Sequence, residues 1–161
     1  MTIAVGDTFP AVTLKRLGSD GMEDFKITEF LADKKVVIFA VPGAFTPTCA
    51  QKHLPGYITQ ADAIKAKGID AILCLAVNDP FVMKHWGEVA GAEGKVMMVP
   101  DGNGELVQKL GLTLDGSGAG LGLRAQRFMM VVDHGKVTEL QVEPAAGNLE
   151  FSGAEVCLAK L

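Results

Sequence analysis

The sequence predicts an α/β domain with a mixed central sheet flanked by helices, and three observations carry that prediction. Two uninterrupted apolar runs, Val36-Val37-Ile38-Phe39-Ala40-Val41 and Ala71-Ile72-Leu73-Cys74-Leu75-Ala76, suit strands buried on both faces. Segments with helical start and stop signals alternate with them, which is the pattern of a layered α/β fold. A late pair of strands, Phe128–Val132 and Val137–Val142, surrounds the turn Asp133-His134-Gly135-Lys136 and makes part of the sheet antiparallel.

Taken in order, Val12–Leu17 and Met22–Ile27 flank Gly18-Ser19-Asp20-Gly21 and read as a hairpin. Lys35–Val41 is a buried strand that Pro42-Gly43 ends. Thr46-Pro47 reads as an N-cap followed by proline at the first helical position. That helix continues through Ala61 to Ala66 and stops at Gly68, with a kink expected at Pro55-Gly56. Ile69–Val77 is the second buried strand. Asn78-Asp79-Pro80 opens a helix that runs to about Ala90. A short strand at Val96–Val99, a short helix at Gly104–Leu110 and a closing helix at Ser152–Lys160 complete the chain. No repeat, low-complexity tract or linker divides it, so residues 1–161 read as a single domain. The glycine-rich stretch Asp115–Gly122 is too short to separate two cores.

Bulk properties narrow the function classes. Hydrophobic residues make up 48% of the 161 and charged residues 21%, a compact and not a disordered balance. The net charge of −4 argues against a general nucleic-acid surface. The start, Met1 to Asp7, shows neither a basic n-region nor a long apolar run, and no stretch reaches the roughly 18 apolar residues of a membrane span. The three cysteines, Cys49, Cys74 and Cys157, are odd in number and unpaired in spacing. Secretion on a disulfide framework is therefore not expected, and a reducing, cytoplasmic setting is.

The chemistry concentrates at Val41-Pro42-Gly43-Ala44-Phe45-Thr46-Pro47-Thr48-Cys49. A buried strand ends, a loop turns, and a cysteine arrives in the first turn of a helix. The free N–H groups and dipole there favour negative charge, and should favour the thiolate. Strand ends are also where open α/β sheets place their sites. Thr46 can cap the helix or reach the sulfur or a bound oxygen, while Pro42 and Pro47 fix the backbone. Geometry alone leaves two readings open: an activated nucleophile, or a small buried hydrophobe.

The motif goes further. Pro42-x-x-x-Thr46-x-x-Cys49 resembles the peroxidatic signature of the peroxiredoxins. The longer string Pro42 to Cys49, with His53-Leu54-Pro55-Gly56-Tyr57, Val77-Asn78-Asp79, Arg124-Ala125-Gln126-Arg127-Phe128 and Val142-Glu143-Pro144, is similar to the peroxiredoxin-5 (type II, atypical) branch over nearly the whole chain. The resemblance implies a thioredoxin-like fold and a thiol peroxidase that needs no metal or organic cofactor. Cys49 would attack a peroxide oxygen and become a sulfenic acid. Thr46 would hydrogen-bond the peroxide, Arg127 would hold the thiolate and the developing charge, and Pro42 would shield the sulfur. Arg124 is the competing arginine; Arg127 is preferred because it directly precedes the strand-opening Phe128, where the family's arginine falls.

His53, four residues after Cys49, is read as a locally hydrogen-bonded polar group more readily than as a charged helper. Zinc on Cys49 and His53 lacks further ligands at a recognised spacing. Cys74 lies in an apolar strand and reads as inert, although some plant type II members carry a second cysteine there. Cys157 falls on a core-facing side of its helix. Animal members resolve the sulfenic acid with a cysteine after the Glu-Pro motif, and Ala145 to Phe151 contains none. A one-cysteine cycle with glutathione and glutaredoxin is expected, with thioredoxin as second choice. Type II members form dimers through the active-site face, which points to Phe45 and Pro80-Phe81. Among rivals, a disulfide reductase needs Cys-x-x-Cys, and Cys49 is followed by Ala50-Gln51-Lys52. The Gly116–Gly122 loop fits no nucleotide fingerprint. A peroxide sensor differs from a peroxidase only in reacting once.

Overall fold

The computed structural model describes every residue from Met1 to Leu161. In chain order the elements are β1 (Thr13–Gly18), β2 (Gly21–Lys26), α1 (Ile27–Leu31), β3 (Lys35–Ala40), a π-helical turn (Cys49–His53) leading into α2 (Leu54–Lys65), β4 (Ala71–Ala76), α3 (Pro80–Ala90) and β5 (Met97–Pro100). They continue with α4 (Glu105–Leu110), β6 (Thr113–Asp115), β7 (Leu123–Ala125), β8 (Phe128–Asp133), β9 (Lys136–Val142) and α5 (Ala154–Ala159).

The central sheet has five strands in the order β5-β4-β3-β8-β9. β3, β4 and β5 run parallel, and β8 and β9 are antiparallel to their neighbours. The two apolar runs occupy the centre, as strands without a polar face must. Their side chains alternate between two cores. Val36, Ile38 and Ala40 pack with the β1–β2 hairpin, α1 and α4. Val37, Phe39 and Val41 pack with α2, α3 and α5 on the other face. Helices thus flank a mixed sheet, as the alternation of elements predicts.

Local signals hold where they were clearest. Asp79 caps α3 by accepting from the Val82 N–H at 2.9 Å, Pro80 occupies the first turn, and Gly91 ends the helix at φ 74°. The β8–β9 turn has φ 51° at His134 and 85° at Gly135, the two positive values that a two-residue hairpin turn requires.

Three features depart from expectation. The second hairpin strand stops at Lys26, and Ile27 begins α1 instead, burying Ile27 and Leu31 against the sheet. The glycine-rich stretch belongs to a small hairpin, β6 against β7, with Ser117–Ala119 as a short 3₁₀ turn at its tip. The expected kink at Pro55-Gly56 is a correction: α2 runs through both residues, and the irregularity lies upstream, at Cys49–His53. Proline explains the displacement. Pro55 has no N–H to close an ordinary turn, and the Leu54 N–H bonds five residues back, to the Cys49 carbonyl.

Replacing Asp79 with alanine is expected to cost about 1 kcal/mol of stability, and with asparagine a few tenths. Urea unfolding of the two variants checks this, and equal losses would mean that the cap is not the cause.

Candidate active site

β3 ends at Ala40, and Val41 to Thr46 forms a loop on the α2 side of the sheet. Phe45 adopts φ 63° there, an uncommon conformation for a bulky side chain. The loop is fastened at the Ala44 N–H, which donates to Asn78 Oδ1 at 2.9 Å. Thr46 begins the helix, because its carbonyl accepts from the Ala50 N–H at 2.8 Å. Its hydroxyl does not cap that helix but donates to the Gly43 carbonyl at 2.7 Å.

Cys49 follows in the first helical turn and is 0% exposed. Its orientation depends on the π-helical turn. At ~100° per residue, five α-helical positions would leave Cys49 roughly 140° around the axis from Leu54. The wider turn removes most of that offset, and both residues reach the core. The same widening brings Cys49 and His53 toward one common partner.

That partner is Arg127, one residue before β8, at 2% exposure. Its Nη2 donates to the Cys49 sulfur at 2.9 Å, its Nη1 to His53 Nδ1 at 2.8 Å and its Nε to the Ala146 carbonyl at 2.9 Å. None of these partners is a carboxylate. A guanidinium cannot lose its proton under ordinary conditions, and burying it without a counter-charge is costly. Cys49 is the contacting group able to supply that charge, as a thiolate.

His53 is held neutral. Burial, and then the adjacent Arg127 charge, push its pKa down to about 3. Its Nε2 lies 3.0 Å from the Ser152 carbonyl, which can only accept, so the proton sits on Nε2 and Nδ1 is left to accept from Arg127. Tyr57 donates to the same carbonyl at 2.7 Å and stacks on Phe39 of β3, ring centroids 4.0 Å apart. Glu143 fixes this carbonyl from behind by accepting from the N–H groups of Glu150, Phe151 and Ser152 and from the Ser152 hydroxyl. Burial pushes the Glu143 pKa up, but these hydrogen bonds outweigh it and leave the group below the usual carboxylate value. Asn78, Glu143, Tyr57 and Ser152 support the site, and no local sequence signal assigns them that role.

Arg127 thus contacts Cys49 and His53 directly, while Pro42 and Thr46 lie in the loop that leads into the same helix. Arg124 is elsewhere: its Nη1 donates to the Pro42 carbonyl at 3.2 Å, and it does not share the sulfur. Cys74 is enclosed in β4 opposite Phe39, and burial raises its pKa well above the ordinary thiol value. Burial also pushes the Cys157 thiol up, to about 11.

A buried cysteine at a strand-to-helix junction, held by a buried arginine on a mixed α/β sheet, defines a thiol-based oxidoreductase. Residues 4–158 match the Redoxin family model. The chain is 45% identical to Peroxiredoxin-2B of Arabidopsis thaliana over 160 residues, covering 99% of this chain and 98% of that one. Reduced Prx3 of Vibrio vulnificus in complex with H2O2 is similar at 51% identity, covers 99% of each chain and superposes with a TM-score of 0.94. Peroxiredoxin 5 of Alvinella pompejana is similar at 34% identity, with a TM-score of 0.84 over 98% of this chain and 96% of that one. The chain belongs to the peroxiredoxin family, has its thioredoxin-like fold, and is a thiol peroxidase of antioxidant function.

The neutral His53 has a pH consequence. The unfolded chain protonates this imidazole below about pH 6.5, whereas the folded one stays neutral until about pH 3. Stability is therefore complete above pH 6.5 and is lost as pH falls through that window, at up to ~1.4 kcal/mol per unit. Between pH 7 and pH 5, wild type is expected to lose roughly 1–2 kcal/mol more than His53→Gln in urea unfolding. Parallel losses would show that His53 is not buried neutral.

Proposed function

We propose that this peroxiredoxin is of the type II, peroxiredoxin-5-like branch and reduces hydrogen peroxide and organic hydroperoxides through Cys49 in a one-cysteine cycle. The observation that carries the reading is the contact between the Arg127 guanidinium and the Cys49 sulfur, with no carboxylate to compete for the charge. The likeness to the Alvinella pompejana protein supports the branch.

In the proposed step the thiolate electron pair forms a bond to one peroxide oxygen and the O–O bond breaks. The other oxygen leaves as hydroxide or alkoxide and takes a proton from solvent. Sulfur is oxidised to the sulfenic acid and the peroxide is reduced to water or an alcohol. Thr46 spends its own proton on Gly43, so its lone pairs can accept from the peroxide O–H. Arg127 stabilises the charge as it moves from sulfur to the leaving oxygen. Pro42, buried within the loop, is assigned the shielding of the sulfur from bulk water.

Regeneration is assigned to an external thiol. Glutathione would displace water from the sulfenic acid to give a mixed disulfide, which glutaredoxin then reduces; thioredoxin is the alternative. The burial of Cys74 and Cys157, and the raised pKa of both thiols, support this cycle, because the thiolate is the attacking species. A homodimer through the active-site face is also proposed. Phe45 and Phe81, 48% and 63% exposed, supply the apolar surface for it. A cytoplasmic setting fits a cycle that draws on glutathione.

Peroxide consumption with glutathione and glutaredoxin, set against thioredoxin and its reductase, tests the cycle. Cys49→Ser is expected to abolish turnover, while Cys74→Ser and Cys157→Ser keep it within about twofold of wild type if folded, since neither touches the reacting atoms. Turnover by Cys49→Ser would remove the central assignment. Loss of turnover in either other variant, with its fold intact, would replace the one-cysteine cycle by a two-cysteine one. Arg127→Lys replaces a fork with a point donor and is expected to slow the peroxide step by at least ~100-fold. Stopped-flow mixing of the reduced protein with hydrogen peroxide measures it.

A further inference from the structure

We infer that Arg124 is a positioning residue for the peroxide step, holding the Pro42–Thr46 loop in its reactive shape without touching the sulfur. The inference rests on the assignment of Cys49 and Thr46 to that step.

Three contacts meet at one stretch of backbone. The half-buried Arg124 guanidinium donates through Nη1 to the Pro42 carbonyl at 3.2 Å. Its Nε donates to the Leu121 carbonyl at 2.9 Å, which ties it to the base of the β6–β7 loop. At the neighbouring residue, Gly43, a Cβ would lie 2.5 Å from Arg124 Nη1 and 3.2 Å from Thr46 Cγ2. Glycine at position 43 is therefore the space in which the guanidinium sits. The Gly43 carbonyl, in turn, receives the Thr46 hydroxyl at 2.7 Å. The path from Arg124 to the substrate-facing oxygen of Thr46 passes through two adjacent peptide groups and two hydrogen bonds.

The loop needs such a clamp. Phe45 holds φ 63°, and a non-glycine residue in this region reverts unless its surroundings fix it. Asn78 fixes the Ala44 N–H from β4's side, and Arg124 fixes the Pro42 carbonyl from β7's side. Arg127 sets the charge at the sulfur, whereas Arg124 sets the distance between sulfur and peroxide. Misplacing a reacting group by about 1 Å can cost on the order of 100-fold.

The test is a double-mutant cycle on the rate constant for reduced protein with hydrogen peroxide. Arg124→Ala is expected to slow that rate by about 10- to 100-fold, and Arg124→Lys to recover most of it. Gly43→Ala, which leaves Arg124 in the sequence but evicts its guanidinium, is expected to slow the rate comparably. The double variant should be no more than about twofold below Arg124→Ala alone, because both changes remove one clamp. Alkylation of Cys49 by iodoacetamide, which depends on the thiolate and not on peroxide geometry, should not slow in any variant. Losses that multiply in the double variant would overturn the inference, as would alkylation that falls in step with the peroxide rate. Should Arg124→Ala fail to fold, a peroxide rate in Gly43→Ala within about twofold of wild type overturns it equally. Cys49→Ser separates the two assignments: if that variant still consumes peroxide, the underlying site is wrong, whatever Arg124 does.

Discussion

A guanidinium buried without a carboxylate is the constraint around which this molecule is arranged. Arg127 must satisfy its donors inside the protein, and it does so with a sulfur, a neutral imidazole and a main-chain carbonyl. Each is a weaker partner for a cation than a carboxylate would be. Of the three, the sulfur is the group chemically able to carry an opposing charge. Had the Glu143 carboxylate reached Arg127 directly, the ion pair would have satisfied the arginine without the sulfur. Glu143's carboxylate is instead saturated by three main-chain N–H groups and a hydroxyl, and reaches the guanidinium through Ser152 and His53.

The sheet makes this arrangement rigid. Phe39 sits in the central strand, and His53 and Tyr57 both lean on its ring, at 4.9 and 4.0 Å between centroids. Both rings reach the Ser152 carbonyl, so the loop between β9 and α5 is anchored from the helix and from the strand at once. The apolar packing that folds the domain is thus the same packing that aims the imidazole at the arginine. A change at Phe39 would be felt as a loss of core volume and as a rotation of His53 together.

Much of this was legible in the sequence. The two buried strands, the α3 cap at Asp79-Pro80 and the His134-Gly135 turn are written in local chemistry, and the motif from Pro42 to Cys49 marked the reactive loop. What stayed hidden depended on contacts between distant residues. Apolar alternation carries the second hairpin strand on to Ile27, because it cannot show that burying Ile27 and Leu31 together favours a helical turn. His53 is the hydrogen-bonded, uncharged polar group expected of it, but the bonds are not local: its partners lie 74 and 99 residues away. Glu143 and Asn78 belonged to strings that matched the family, but nothing local assigned them a partner. The kink expected at Pro55 was misplaced because a missing N–H alters the turn before it rather than the residue itself.

That turn has one more consequence. A π-helical turn holds an extra residue within a helix, as a spring holds a compressed coil. Letting the five residues Cys49–His53 relax to α-helical pitch would leave Cys49 roughly 140° around the axis from Leu54 while α2 stayed whole. In the wide turn the sulfur is enclosed and faces the arginine; at ordinary pitch it would point away from the core. A change of winding, with no strand or helix dismantled, is therefore geometrically enough to carry one atom from the interior to the surface.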